Sequence, residues 1–166
     1  SVYTDVRSWQ NLLGYIPQSI FLTDETIAEN IAFGVPKGEI DPARLAMAVK
    51  AAQLETRVGQ LPEGLDTMVG ERGMRISGGQ RQRVGIARAL YHGREILVLD
   101  EATSALDSET EKLVSDAINS LAGDKTLIII AHRLSTIEGC DRVYRLENGR
   151  IEQTGTYAEV VLAGSR

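Results

Sequence analysis

The sequence predicts an α/β protein in which a parallel sheet forms an incomplete core and a helical subdomain is inserted into it. Three observations carry this. Continuous apolar runs at Leu13 to Ile16, Ile96 to Leu99 and Leu127 to Ile130 suit strands buried on both faces of a sheet. A helical pattern separates the last two runs, making a βαβ unit. Between the first two lies a stretch, about 27–75, that reads as short helices, so that 1–26 and 76–166 form the α/β part of one domain.

The elements follow in order. After the strand Leu13 to Ile16, the helical stretch contains Asp41 as an N-cap and Pro42 at the first helical position, with Leu45, Val49 and Ala52 continuing a helical stripe. Ser77, Gly78 and Gly79 then precede a helix from Gln80 to Tyr91, where Ser-x-x-Gln has the form of a capping box. His92, beside Gly93, sits at the end of that helix, a position the helix dipole favours. The strand Ile96 to Leu99 ends in Asp100 and Glu101. A further helix is capped by Asp107, presents Val114, Ala117, Ile118 and Leu121 on one face, and stops at Gly123. The strand Thr126 to Ile130 follows. Finally, Val143 to Leu146 and Arg150 to Gln153 flank Asn148-Gly149, the strongest short hairpin signal.

Composition narrows the possible functions. With 43% apolar and 25% charged residues, 166 residues can bury one modest core. The 18 basic residues face 23 acidic ones and are scattered except around Arg81, Arg83 and Arg88, which leaves no footprint for nucleic acid. The single cysteine, Cys140, has no internal partner for a disulfide, which fits a reducing cytosol. The sequence contains no signal peptide and no long apolar span, so membrane association is expected through a partner or a further part of the protein.

Two strings carry the chemistry. Ser77-Gly78-Gly79-Gln80 leaves backbone N–H groups bare at the positive end of a helix dipole, where a phosphate can approach. The capping box accounts for Ser77 and Gln80 but not for two glycines in a first helical turn, each of which weakens a helix by roughly 1 kcal/mol relative to alanine. The second string is the strand that delivers Asp100 and Glu101 to a sheet edge. There one carboxylate can hold the Mg²⁺ of a nucleotide while its neighbour orients or deprotonates a water.

Taken with three further motifs in a fixed order, the chain resembles the second half of the nucleotide-binding domain of ATP-binding-cassette (ABC) proteins, a P-loop NTPase-like fold. Gln18, closing Tyr15-Ile16-Pro17-Gln18, is similar to the family's Q-loop. Ser77 to Gln80 resemble its signature, with Ile76 where Leu is usual. Asp100 and Glu101 resemble the Walker B aspartate and catalytic glutamate, and Ser104-Ala105-Leu106-Asp107 the D-loop. His132, after the strand ending at Ile130, resembles the switch histidine.

The resemblance implies a role for each position. Gln18 would reach Mg²⁺ and couple the nucleotide site to a membrane partner. Ser77, Gly78, Gly79 and Gln80 would face ATP held by a second nucleotide-binding domain, across an interface that Asp107 also approaches. Asp100 would hold Mg²⁺, Glu101 would polarise the attacking water, and His132 would contact the γ-phosphate. Thr67 to Gly73, with Gly70-Glu71-Arg72-Gly73, resembles the loop that exporters carry before the signature, and Leu13 to Asp24 resembles exporters of lipids and lipid-linked saccharides.

The implied protein is an exporter ATPase working with transmembrane domains at the cytoplasmic face of a membrane, without nucleic acid. Two alternatives stand beside it. DNA-repair and chromosome-structure ATPases of the same superfamily insert long coiled coils between Q-loop and signature, whereas Gln18 and Ser77 are only 59 positions apart. The other alternative is a non-catalytic module that lends its signature face to another subunit's ATP. No lysine among Lys37, Lys50, Lys112 and Lys125 stands in a G-x-x-x-x-G-K-[ST] frame. The expectation is therefore a fragment that begins after the phosphate-cradling loop and the adenine-stacking aromatic, inactive as an isolated chain.

Overall fold

The computed structural model describes residues 5–70, 76–102 and 108–162. Its α/β fold with a parallel sheet matches the expected class. The chain divides into two compact units, Ser1–Ile130 and Ala131–Arg166.

In the first unit, β1 (Leu13–Ile16), β2 (Ile96–Asp100) and β3 (Thr126–Ile130) pair in parallel in the order β1-β2-β3. All three begin within one residue of the sequence expectation. Helices α2 (Ile27–Ile31), α3 (Pro42–Ala51) and α4 (Glu55–Gly59) occupy the stretch between β1 and the long helix α5 (Gly78–Tyr91), and α6 (Ser108–Asn119) joins β2 to β3. One apolar cluster runs through the strands and these helices: Ile16, Leu97 and Leu99 of the sheet, Ile31 of α2, Val49 of α3, Ile86 of α5, and Val114 and Ile118 of α6. The expected stripes are the buried ones, Leu45, Val49 and Ala52 in one helix and Val114, Ala117, Ile118 and Leu121 in the other.

The caps account for the helix boundaries. Asp41 accepts from the backbone N–H groups of Ala43 and Arg44, ahead of Pro42. Ser77 and Gln80 close the capping box reciprocally, Gln80 N–H to Ser77 Oγ at 3.3 Å and Ser77 N–H to Gln80 Oε1 at 3.1 Å. Helix α5 therefore starts at Gly78, two residues earlier than the pattern indicates, and both glycines lie within its first turn. Asp107, expected to cap α6, lies outside the described residues, as do the other D-loop positions and Glu71-Arg72-Gly73. Helix α1 (Val6–Leu12), capped by Asp5, went unread in the sequence: it is only seven residues long, and its apolar Val6, Trp9 and Leu12 are all exposed.

The second unit is a hairpin of β4 (Val143–Glu147) and β5 (Arg150–Gly155) followed by a π-helical turn at Ala158–Leu162. Glu147 pairs with Arg150, leaving Asn148 and Gly149 as a two-residue loop with φ of +49° and +74°. Positive φ at both positions is the requirement of a type I′ turn, which Asn-Gly meets with little strain.

Among the described residues no helix is long and apolar enough to cross a membrane, and no further strand pairs with the outer edge of β3. Leu127 and Ile129 pack on the core, while Ile128 and Ile130 are each half exposed. An apolar, unpaired edge strand recruits other strands. Light scattering at micromolar concentration is expected to show self-association of the 166-residue chain, reduced by Ile128→Lys. A monodisperse wild-type monomer would refute this.

Candidate functional site

The site is assembled at the C-terminal ends of β1 and β2, where parallel sheets of this class place ligands. Gln18 leaves β1 and Glu101 leaves β2, and the two meet: Gln18 Nε2 donates to Glu101 Oε2 at 2.9 Å across 83 residues of sequence. Glu101 itself has φ +49°. A side-chain-bearing residue in the left-handed region carries strain of about 1–2 kcal/mol, and such outliers cluster at sites where a side chain must be aimed. The strand partner holds it there, through a 2.8 Å bond from Glu101 N–H to the carbonyl of Ile130.

Asp100, the last residue of β2, accepts a 2.7 Å hydrogen bond from the hydroxyl of Tyr15 on the neighbouring strand. That bond to a carboxylate raises the pKa of the exposed Tyr15 phenol.

The first turn of α5 reaches the same place. A cavity of about 140 Å³ is lined by Gln18, Ser19, Ile20, Gly78, Arg81, Gln82, Glu101 and Ala102. Of the expected site residues, the structure thus brings together Gln18, Gly78 and Glu101, with Asp100 one residue away. Ser77 and Gln80 are engaged with each other in the cap, and Gly79 is buried in the helix. His132 belongs to the second unit, where it is exposed. His92, read from sequence as a helix-end residue, is the C-cap of α5, and its Nε2 lies 3.1 Å from the carbonyl of Phe33. Burial lowers its pKa.

Carboxylate and amide oxygens at a strand end are the donor set of a hard divalent cation. Among the described residues no group of three or more His, Cys, Asp or Glu is placed to hold a metal by itself. The donors present suit Mg²⁺, which is commonly held by one or two carboxylates and completes its shell with water and a bound phosphate. At the cavity's other wall, the N-terminal turn of α5 and exposed Arg81 supply the positive end that a phosphate needs.

Three contributors escaped sequence reading. Gln82, 4% exposed, donates from Nε2 to the carbonyls of Pro17 (3.3 Å) and Gln18. A signal existed: it shares the buried face of α5 with Ile86 and Ala89, four and seven residues on, and a polar residue on an apolar face requires a partner. Asn30 is fully buried in α2 and bonds both ends of its amide to the segment Thr23 to Thr26. Tyr15 is the third, with no local signal. Two of the arginines that cluster in sequence turn out to brace backbone. Arg83 is buried and donates to the Gln53 carbonyl at 2.6 Å, and Arg88 donates to Asn30 O and Phe21 O while lying over the Phe33 ring.

Comparison with known proteins gives this site a context. The ABC transporter family model matches residues 2–104. An ATP-dependent lipid A-core flippase of Cupriavidus metallidurans is 51% identical over 150 residues, covering 90% of this chain and 25% of the relative. One of Thiobacillus denitrificans is 48% identical over 161 residues, 97% of this chain and 28% of the relative. A bacterial Atm1-family ABC exporter solved with ATP bound superposes with a TM-score of 0.81 at 40% identity, over 94% of this chain and 27% of that one. The chain spans about a quarter of the length of the relatives it matches.

Proposed function

The chain belongs to the ABC transporter family, and from that membership we propose that it is the C-terminal part of the ATP-binding and hydrolysing domain of an exporter, coupling ATP hydrolysis to transport across a membrane. The observation that carries the reading is the meeting of Gln18, Glu101 and the Gly78 turn around one cavity at the ends of two parallel strands. The likeness to lipid A-core flippases, at about half identity, favours a lipid as the transported substrate.

In this reading Glu101 accepts a proton from the water that attacks the γ-phosphate, and Gln18 holds the carboxylate in place for it. Asp100 and Gln18 would hold Mg²⁺. When bound, that ion neutralises charge developing on the β- and γ-phosphates. His132 is assigned to the γ-phosphate on its motif alone. Ser77, Gly78, Gly79 and Gln80 present the first turn of α5 to ATP on a second nucleotide-binding domain, and Asp107 belongs to the loop crossing that interface. Residues 27–75 are read as the inserted helical subdomain. The partners are an exporter's transmembrane domains and that second domain, at the cytoplasmic face of the membrane.

Hydrolysis of Mg-ATP by the full-length protein in lipid vesicles tests the reading, and no hydrolysis there would sink it. The 166-residue chain alone is expected to bind Mg-ATP no better than about millimolar, since a P-loop supplies most phosphate contacts in such enzymes and the sequence contains none. Micromolar affinity by calorimetric titration would contradict that expectation.

A further inference from the structure

We propose that Gln82 is a positioning residue that couples helix α5 to Gln18 and, through Gln18, to Glu101; the inference rests on the ATPase reading above. Gln82 is 4% exposed, and a buried amide is oriented by whatever partners it has. Its Nε2 donates to two consecutive backbone carbonyls, Pro17 and Gln18, at the turn where β1 ends. Its Oε1 is buried without a hydrogen-bond partner among the described residues, and within them those two carbonyls set the amide's orientation.

Beyond the carbonyl it grips, the Gln18 side chain donates to Glu101 Oε2 at 2.9 Å. One residue of backbone therefore connects the helix to the carboxylate. A second contact holds the same loop one helical turn on: a Cβ at Gly85 would lie 2.5 Å from Ile20 Cδ1 and 2.9 Å from Ile20 Cγ1, so glycine lets Ile20 seat against α5 without shifting. Held at both points, residues 17–20 follow any displacement of α5. The N-terminal turn of that helix lines the cavity with Glu101, so a shift felt at Gly78 is passed to the carboxylate through Gln82 and Gln18. Gln82 acts in this scheme by fixing the donor that fixes Glu101.

The test is steady-state ATPase kinetics of the full-length protein with Gln82→Met, which keeps the side-chain length and removes the donor. We expect kcat to fall ~10-fold, since Gln82 serves the aim of Glu101, with any change in KM for Mg-ATP no larger than that of Gln18→Ala, because Gln82 reaches the nucleotide site through Gln18. Because both residues act through one bond, Gln82→Met is expected to add no further loss to Gln18→Ala. Wild-type kcat in Gln82→Met, a KM raised beyond that of Gln18→Ala, or losses that multiply in the double variant would each overturn the coupling, the last two being what a packing role or misfolding produces. Glu101→Gln measured alongside separates the two claims. Lost turnover there with wild-type Gln82→Met refutes the coupling alone, whereas wild-type turnover in Glu101→Gln removes the reading on which it rests.

Discussion

Replacing Glu101 by glutamine in the full-length protein is expected to lower ATP turnover by ~10²–10⁴-fold, the usual contribution of a positioned general base, while ATP binding persists. An amide at this position keeps the size and planar shape of the carboxylate. It also retains an oxygen that Gln18 Nε2 can reach, so the 2.9 Å bond has a replacement acceptor and the left-handed backbone at residue 101 is undisturbed. What is lost is the basicity needed to take a proton from water. The expected product is an ATP-bound state that persists. His132→Ala is expected to slow turnover as well, and His92→Ala to leave it unchanged, because His92 is tied to the Phe33 carbonyl at the far end of α5. Steady-state rates of the three variants measure this. Near wild-type turnover in Glu101→Gln would mean that another group accepts the proton.

The largest effect on stability is expected at Asn30. Its amide oxygen accepts from Thr23 N–H at 2.9 Å and its nitrogen donates to the carbonyls of Thr23, Glu25 and Thr26, with Thr26 O at 3.0 Å. Asn30→Ala removes that side-chain partner at a residue which is itself 0% exposed. Glu25 O keeps the N–H of Val69 and Thr26 O keeps the N–H of residue 30, so the groups that lose their partner are Thr23 N–H and Thr23 O. Burying an unsatisfied polar group costs about 1–3 kcal/mol, and a loss of about 2 kcal/mol or more is expected in urea denaturation. The consequence extends toward the site. Arg88 of α5 donates to the carbonyls of both Asn30 and Phe21, so the segment that follows Gln18 is held to α5 through the same node. Asn119→Ala, at an exposed position, is the control and should change stability by less than about 0.5 kcal/mol. Equal effects of the two substitutions would show that relaxation or entering water replaces the lost bonds.

The features legible in the chain are those whose causes are local. Strand limits follow from apolar runs, the Asn148-Gly149 turn from the need for two positive φ angles, and the Asp41 and Ser77 caps from bonds that span two or three residues. The order of Gln18, Ser77 to Gln80, Asp100, Glu101 and His132 was legible too, because a motif is itself a string along the chain. Helix α1 was not, since seven residues are too short a window for the spacing of Val6, Trp9 and Leu12 to stand out.

Tertiary structure alone decided which of these residues meet. Gln18 and Glu101 are 83 positions apart, Tyr15 and Asp100 are 85, and Gln82 reaches Gln18 across 64. Patterns of two and 3.6 residues state which face of an element is buried, but they are silent on which loop lies over that face. Gln82 shows the difference. Its place on the apolar side of α5 is written in the spacing, whereas the carbonyls that satisfy it appear only once the parallel pairing of β1 with β2 brings the end of β1 under the helix. The left-handed backbone of Glu101 has the same origin, being held by a hydrogen bond to the end of β3 that exists only in the assembled sheet.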